Sequence, residues 1–571
     1  MTHSNLNDDN VSNSSNPENE IPPCADEVFL SEQDSCLLLK KTTQYLKEIV
    51  AKNLDCQPNK IENKGVLREY GVNSQMTLEI LNELQEILGQ LSTTLLYEYP
   101  TLGQLAVYFV QSYPQELAKR FKLTHKASHK IPEKTQPIFP TSPKPIQANN
   151  KKSVKKAINQ PPLENQHEDI AIIGLSGRFP MSNDVDQLWA HLIKEESCTR
   201  EVPPERWDYR QYYDENSTDP DKIYTKWGGF LEDYDKFDPL FFNISPRQAE
   251  LMDPQQRLLL ESAWATLEDA GYTPTSLSRN TGVFVGVMTN TYGSFAIEAF
   301  LKGNIHCPDS DNYDLANRIS YFCDFNGPSL SIDTACSSSL TAIHLAVESL
   351  HRRECESAIA GGVNLTLHPH RIFQYCSKKM LLAGKDIHPF GDSTGGFVDA
   401  EGVATVLLKP LSQAIADGDH IYALIKGTAI NAGGRTSGYN VPNPKLQGDV
   451  ITQALKQAQI NPRTISYVEA HGTGTKLGDP IEIEGLTQAF GQYTDDLQFC
   501  AIGSVKSNIG HLMAASGVTS LTKVLLQLKH RTLVPSIHST PPNPHIDFKK
   551  TPFVVQQKLA YWQRPKIAEE G

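Results

Sequence analysis

One cysteine stands where a strand pattern gives way to a helix pattern. Cys336 follows a short apolar run at 329–332 and precedes residues 337–350, whose apolar side chains recur at helical spacing. A thiol at the start of a helix meets unpaired backbone N–H groups and the positive end of the helix dipole, and both favour the thiolate. We predict a buried strand through Leu330 and Ile332, followed by a candidate nucleophile. A small buried structural cysteine fits the same place, so Cys336 alone leaves both interpretations open.

Two histidines follow two further predicted strands. His471 lies in VEAHGTGTKLGDPIE, and His511 lies in SVKSNIGHLMAASG, which leads into a helix. Polar turns at strand ends often carry the active groups of α/β folds. One cysteine and two histidines could form a nucleophile with its imidazole partners or a metal site. Because no further ligand accompanies them at metal-ligand spacing, we expect no metal. Either histidine alone also fits an ordinary core or loop residue.

The elements that would position these side chains alternate along the second part of the chain. From Glu168 onward, buried apolar runs alternate with helical patterns, which predicts a layered α/β core of about 400 residues. The glycine pairs lack the GxGxxG spacing and there is no P-loop, so no nucleotide site is expected. The predicted strands are residues 281–286, 358–362, 403–408, 423–427, 466–470 and 499–503.

The first part of the chain has a different composition. Residues 1–30 are polar and are predicted to be disordered. Residues 31–115 predict a small four-helix domain, with helical patterns at 37–50, from Ser74, near 95–97 and at 101–110. Residues 116–166, rich in Lys, Pro, Gln and Asn, predict a flexible linker, and residues 167–571 form the α/β domain.

Composition restricts the class of protein. The chain has 571 residues and a formal net charge of −13, and it has no basic stripe, which argues against a nucleic-acid partner. It has no apolar run of about 18 residues, so no membrane span is expected. The N-terminus has no secretory signal, and the ten cysteines contain no CxxC pair. These features predict a cytoplasmic protein without a disulfide framework.

Several long motifs occur in one order, and together they resemble the β-ketoacyl synthases of modular polyketide synthases. They are GRFP (177–180), MDPQQRLLLE (252–261), GPSLSIDTACSSSL (327–340), AGGVN (360–364), VPNP (441–444) and the two histidine segments. The resemblance implies a thiolase-like fold with five layers, α-β-α-β-α, in a homodimer. It implies polyketide chain extension by decarboxylative Claisen condensation of a cysteine-bound acyl chain with a malonyl-type extender held on an acyl carrier protein.

The same resemblance implies roles for individual residues. Cys336 would hold the acyl chain as a thioester, with its own N–H in an oxyanion hole, while His471 and His511 would stabilise the enolate formed by decarboxylation. The remaining roles are supporting: contacts to the pantetheine arm for Thr473 and Thr475, and support of the site for Lys506 and Asn508. Lys506 fits equally well a buried lysine paired with a carboxylate.

The small helical domain resembles an acyl carrier protein. The resemblance rests on Tyr70–Gly71–Val72–Asn73–Ser74 and on the segment 97–102, and it implies 4′-phosphopantetheine attached to Ser74. A helix N-terminus tolerates a phosphodiester well. Asn73 and Gln75 replace the usual Asp and apolar neighbours, and a simple N-cap role for Ser74 stays open.

Further features bear on the type of assembly. TSGYNVPNP and the ending after Pro542 look like assembly lines whose acyltransferase is a separate protein. The segment 389–402 departs from the family at Gly391, Gly395 and Ala400. The family continues beyond WQRP with a loop and a strand, so we expect a fragment of a longer polypeptide. Two other functions remain open: a ketosynthase that transfers the acyl chain without condensation, and a non-catalytic docking scaffold.

Overall fold

The computed structural model of the chain comprises two compact units that divide between Ile138 and Phe139. It describes residues 32–72, 74–89, 91, 95–122, 168–216, 219, 221–288, 290–304, 308, 310–392, 395–436, 438 and 441–565. The predicted disordered tail at 1–30 and nearly all of the predicted linker lie outside these residues.

The smaller unit is helical. Its helices are α1 (Glu32–Asn53), α2 (Ser74–Leu88), α3 (Leu95–Glu98), α4 (Leu102–Ser112) and α5 (Pro114–Arg120). Apolar side chains of α1, α2 and α4 fill one core that includes Leu46, Leu81 and Phe109. Burying a leucine or phenylalanine fully stabilises the fold by about 1.5–3 kcal/mol. The Thr101 hydroxyl caps α4 by accepting the Gln104 N–H.

The last helix of this unit differs from the sequence prediction. The predicted domain ends at residue 115, whereas α5 continues to Arg120. Pro114 occupies the first turn of α5, where a missing N–H costs nothing. The described part of the unit therefore has five α-helices rather than four.

The larger unit alternates strands and helices. Its strands are β1 (Ile170–Arg178), β2 (Arg200–Glu201), β3 (Trp227–Gly228), β4 (Thr281–Gly286), β5 (Ser329–Ile332), β6 (Ser357–Asn364), β7 (Gly402–Pro410), β8 (Ala423–Ile425), β9 (Tyr467–Glu469), β10 (Cys500–Gly503), β11 (Thr532–Leu533), β12 (Phe553–Val555) and β13 (Ala560–Tyr561). Its helices are α6 (Val185–Ile193), α7 (Pro246–Leu251), α8 (Pro254–Asp269), α9 (Tyr292–Leu301), α10 (Tyr313–Cys323), α11 (Ser338–His351), α12 (His370–Ser377), α13 (Leu411–Asp417), α14 (Pro444–Ala458), α15 (Gly478–Gly491), α16 (Lys506–Ile509) and α17 (Ser516–His530). No helix in the described ranges is long and apolar enough to cross a lipid bilayer.

A six-stranded mixed sheet forms the first half of this unit, in the order β5-β4-β6-β7-β1-β8. Strands β4, β5 and β6 are parallel, and β7 runs antiparallel to both β6 and β1. In register, Ala360 of β6 lies opposite Val406 of β7. The central strands are buried on both faces, which explains their continuous apolar sequences.

Five layers confirm the predicted thiolase-like architecture. Helices α8 and α10 pack on one face of the large sheet, and α11 and α17 pack on the other. Beyond α17 lies a parallel sheet in the order β12-β10-β9. Apolar residues of α15 cover the outer face of this second sheet, and α14 packs against α15. Since the second sheet has three strands within the described ranges and the first has six, the two halves are unequal.

The predicted burial of the strand before Cys336 is wrong. Strand β5 forms as expected, but Leu330 is 45% exposed and Ile332 is only half-buried. The reason is position: β5 is the outermost strand of the sheet and pairs with β4 alone among the described strands. Apolar periodicity reports that a segment is a strand but not whether a neighbour covers it.

Candidate active site

Cys336 sits in a tight turn between β5 and α11. The turn is a short 3₁₀ segment in which Ala335 adopts a left-handed backbone with φ of 57°. This conformation costs a non-glycine residue about 1–2 kcal/mol. Side-chain acceptors hold the turn: Asp333 Oδ1 accepts the Ala335 N–H at 3.0 Å, and Ser338 Oγ accepts the Thr334 N–H at 2.9 Å. The Cys336 thiol is left half-buried at the tip.

Two glycines allow α11 to begin directly against the sheet. A Cβ at Gly286 of β4 would lie 2.5 Å from the backbone nitrogen of Ser339. A Cβ at Gly362 of β6 would lie 2.9 Å from the Cβ of Ser339. Because real Cβ atoms do not approach so closely, both positions require glycine. The close contact sets how far the turn with Cys336 reaches beyond the strand ends.

The surroundings of Cys336 act on its thiol in opposite directions. Burial raises the pKa of Cys336, while the Lys506 charge and the backbone N–H of Cys336 lower it. Burial dominates, so the resting thiol holds its proton at neutral pH. The backbone N–H at the helix start lowers the pKa of Cys336, which is the predicted direction, but desolvation, of which the sequence pattern contains no measure, outweighs it.

The hydrogen bonds of His511 fix its tautomer. Nδ1 accepts the Met513 backbone N–H at 3.3 Å and lies 2.8 Å from Ser516 Oγ. A nitrogen that accepts an N–H carries no proton, so the Ser516 hydroxyl also donates to it. Burial lowers the pKa of His511 well below its usual range, with the nearby His471 and Lys506 adding to the effect. His511 is therefore neutral, with its proton on Nε2.

His471 lies beside His511 on the turn after β9. The two imidazole rings meet edge to face, with centroids 5.2 Å apart and planes at 85°. Burial and the Lys506 charge lower the pKa of His471, so this ring is also neutral near pH 7. His471 is exposed to solvent. The predicted pair of histidines is thus brought together, at a position open to a ligand.

Two carboxylates that sequence reasoning missed hold the His471 turn. Glu482 accepts the backbone N–H groups of His471 at 2.6 Å and Gly472 at 2.9 Å. Asp479 accepts the Gly474 N–H at 3.1 Å and the Phe390 N–H at 2.7 Å. Burial raises the pKa of both carboxyl groups. Their spacing of three residues on α15 puts both on one side of the helix, which is the signal that could have identified them.

Lys506 is buried at the start of α16. Burial lowers the pKa of Lys506, and Glu469 and Glu482 oppose that effect. Its charge acts on Cys336, His471 and His511 alike. Glu469 Oε2 also lies 2.8 Å from Nζ of the buried Lys523. The alternative role of Lys506, a buried lysine paired with a carboxylate, stays a prediction.

The other predicted supporting residues occupy different places. Thr473 and Thr475 follow His471 on the same turn, and their hydroxyl oxygens lie 3.4 Å apart. Asn508 is fully buried, and its side-chain amide donates to the Glu196 carbonyl at 3.0 Å. Asn508 thus ties the turn before His511 to a neighbouring loop. Ser74 begins α2 in the smaller unit, while Asn73 lies outside the described residues.

Comparison with known families assigns both units. Residues 167–414 match the β-ketoacyl synthase N-terminal domain and residues 422–540 match the β-ketoacyl synthase C-terminal domain. Residues 44–109 match the phosphopantetheine attachment site. These matches cover both the helical unit and the unit that holds Cys336.

Individual relatives agree with this assignment. The chain is 46% identical over 558 residues to polyketide synthase PksL, and 46% identical over 566 residues to polyketide synthase PksM, both of Bacillus subtilis. These matches cover 95% and 98% of this chain but only 12% and 13% of the two relatives.

Two solved structures are also similar to the chain. One is the oxazolomycin ketosynthase domain OzmH KS7 from Streptomyces albus, with a TM-score of 0.68 and 46% identity; the match covers 69% of this chain and 70% of that chain. The other is the module 6 ketosynthase of the Bacillus subtilis bacillaene synthase, with a TM-score of 0.65 and 44% identity; the match covers 69% of this chain and 67% of that chain.

Proposed function

The chain belongs to the β-ketoacyl synthase family of polyketide synthases, and from this premise we propose that it extends an acyl chain by decarboxylative Claisen condensation. A ketosynthase is an enzyme of the transferase class. The observation that carries the proposal is the arrangement of one half-buried thiol and two neutral imidazoles around the charge of Lys506. If the chain only transferred acyl groups without condensation, the paired histidines would have no role in the reaction.

In the first step, Cys336 takes the acyl chain. Its sulfur attacks the carbonyl carbon of an acyl thioester, the new C–S bond forms, and the C–S bond to the thiol that delivered the acyl chain breaks. The Cys336 proton leaves with the departing thiol. The Lys506 charge favours the thiolate, which opposes the effect of burial. The Cys336 backbone N–H is suited to donate to the developing oxyanion.

In the second step, the two histidines act on the extender. The bond from the malonyl unit to its carboxylate breaks, CO₂ leaves, and negative charge develops on the thioester oxygen. Neutral donors such as the His511 Nε2–H stabilise that oxygen without being deprotonated, and His471 is placed to supply a second one. The carbanion then attacks the Cys336 thioester, a C–C bond forms, and the Cys336 sulfur leaves and regains a proton.

The helical unit supplies a carrier function. Its family implies covalent phosphopantetheine, which gives a flexible thiol that holds acyl units as thioesters. We assign the attachment to Ser74 because α2 begins there, and a helix start suits a phosphodiester. Thr473 and Thr475 lie on the His471 turn, where their hydroxyls suit contacts to a pantetheine arm.

The partners follow from the family and from the surface. The substrates are carrier-bound acyl and malonyl thioesters, and the malonyl unit comes from a separate acyltransferase. A second copy of the chain pairs at the outer edge of β5, where Leu330, Leu340 and Tyr321 are 45%, 52% and 90% exposed. Seven cysteines in the described ranges are free thiols, which fits a reducing cytoplasm.

Intact-protein mass spectrometry tests the proposal. The full chain is treated with a phosphopantetheinyl transferase and coenzyme A, then with a short acyl thioester, then with malonyl units on a carrier. We expect a pantetheine adduct on Ser74, an acyl adduct on Cys336 and a β-ketoacyl product. An acyl adduct without condensation would favour the transferring ketosynthase. A folded protein that takes up no acyl group would favour the scaffold.

The variant Cys336→Ala should lose the acyl adduct. Its matched control is Cys323→Ala, which removes a buried thiol elsewhere in the unit.

A further inference from the structure

Two buried polar atoms near Cys336 have no hydrogen-bond partner in the described part of the chain: Oδ1 of Asp399 and Nη2 of Arg371. Asp399 is 5% exposed, and its other oxygen, Oδ2, accepts the Thr366 hydroxyl at 2.6 Å. Leaving a buried donor or acceptor unpaired is costly, so native proteins satisfy such groups with water or a ligand. We call these two side chains the Arg371–Asp399 pair.

The Arg371–Asp399 pair borders the candidate active site. The Arg371 charge lowers the pKa of Cys336 and the Asp399 charge raises it, so both act on the thiol. Arg371 also lies over the ring of Tyr375, one turn further along α12, at 4.4 Å from the centroid. From there, ring contacts continue to Phe397 at 5.6 Å and from Phe397 to His511 at 5.0 Å.

The rest of the surroundings is largely apolar. Cys336 packs with Met288, Phe397 and Met513 in one hydrophobic cluster that also contains Tyr375. The Tyr375 hydroxyl has the Arg371 side chain as a hydrogen-bonding neighbour and lies 3.6 Å from the weak acceptor Met513 Sδ. A chain attached to Cys336 would therefore meet an apolar wall with polar groups at the Arg371–Asp399 pair.

We propose that the Arg371–Asp399 pair recognises a hydroxyl group on the acyl chain that Cys336 accepts, an inference that rests on the proposed function. A hydroxyl can accept from Arg371 Nη2 and donate to Asp399 Oδ1, so a group of this kind has the acceptor and the donor that these two atoms lack. A carboxylate would pair with Arg371 but has no hydrogen to donate to Asp399 Oδ1. An unsubstituted methylene would leave both atoms unpaired, and a site built to bind a hydroxyl discriminates strongly against the analogue that lacks it.

Matched thioesters test this inference on the full chain. The probes are pantetheine thioesters of 3-hydroxybutyrate against butyrate and of 5-hydroxyhexanoate against hexanoate. Mass spectrometry follows the rate of acylation of Cys336 with each. We expect the hydroxylated member of at least one pair to react about tenfold faster or more. Arg371→Met should reduce that preference to within about threefold, whereas Lys378→Met, which removes an exposed cation beside the same helix, should keep it.

Each outcome supports or overturns either the hydroxyl recognition or the proposed function. Equal rates within both pairs in the wild-type protein would overturn the inference and leave the proposed function standing. If Arg371→Met keeps the rate preference for the hydroxylated thioester, or slows both thioesters of a matched pair equally, the inference is overturned. Arg371 and Asp399 would then have a structural role, with water as their hydrogen-bond partner. Failure of every thioester to acylate a protein that unfolds cooperatively on heating would overturn the proposed function and this inference with it. Arg371→Met removes the positive charge that acts on the buried Asp399, so cooperative unfolding of the variant on heating is checked before the rates are compared.

Discussion

At the scale of single residues, the candidate site separates one nucleophile from two donors. The Cys336 thiol stands on a turn after β5, and the imidazoles of His471 and His511 come from segments more than 130 positions further along the chain. The His511 tautomer is set by Met513 and Ser516, so this ring donates through Nε2. The imidazole donors suit the enolate oxygen that develops during decarboxylation, whereas acyl transfer to sulfur can use the backbone N–H of Cys336 as its donor.

Substitution of each residue should therefore interrupt a different step. Cys336→Ala should abolish uptake of an acyl group, because no other sulfur occupies the turn. His471→Ala should leave acylation within a few-fold of wild type and reduce condensation by about 10²-fold or more, as expected for the loss of a donor to a developing oxyanion. Mass spectrometry measures the first step, and assay of the β-ketoacyl product measures the second. Equal loss of acylation in both variants would contradict these roles.

The Lys506 charge predicts a pH dependence. A positive charge stabilises the thiolate, so it lowers the pKa of Cys336, and its removal must raise that pKa further. Lys506→Met should therefore move the midpoint of the acylation rate against pH to higher pH, with several-fold slower acylation near pH 7 and recovery in alkaline solution. Lys529→Met, a partly exposed lysine on α17, should leave the midpoint in place. An unchanged midpoint in Lys506→Met would show that the lysine does not act on the thiol.

At the scale of elements, the sequence predicted the positions of strands better than their burial or their contacts with other elements. The strand at 281–286 matches β4 residue for residue, and the strand at 466–470 contains β9, because buried apolar runs bounded by turn residues report strands directly. The exposed edge of β5 could not be predicted, because exposure depends on which strand lies next to it. The Glu482 and Asp479 contacts were also missed, since they join backbone N–H groups to a helix that begins after an intervening turn.

The contact between α11 and β4 gives a prediction about the position of the nucleophile. Gly286→Ala puts a Cβ 2.5 Å from the Ser339 nitrogen, so α11 must shift or the strand must bend. Overpacking of this kind costs about 1–3 kcal/mol, and the shift should also slow acylation of Cys336. Gly491→Ala is the matched control, because its Cβ would meet no atom within 4 Å. Calorimetry and the acylation time course measure the two effects. Wild-type stability together with wild-type acylation in Gly286→Ala would contradict the close contact.

At the scale of the whole molecule, the chain joins a carrier unit to a synthase unit and spans only 12–13% of two long polyketide synthases. The order of the motifs predicted both units and the layered fold. The inequality of the two sheets could not be predicted from apolar patterns, because patterns do not assign strands to sheets. The pairing of β8 with β1 of the first sheet is an example.

The outer edge of β5 predicts the assembly state. Its backbone groups face no described strand, and a two-fold axis at this edge would make two copies of β5 antiparallel, continuing one sheet into the other. The exposed side chains of Leu330 and Leu340 would then be covered, which offsets the loss of freedom on association. We expect light scattering to give twice the 63.5 kDa of one chain.

Leu330→Lys should shift the protein toward the monomer, because two like charges would meet near the two-fold axis. Leu497→Lys, at a similarly exposed leucine outside the sheet, should leave the dimer intact. A monomeric wild-type protein, or a Leu330→Lys variant of unchanged mass, would place the interface elsewhere or exclude it.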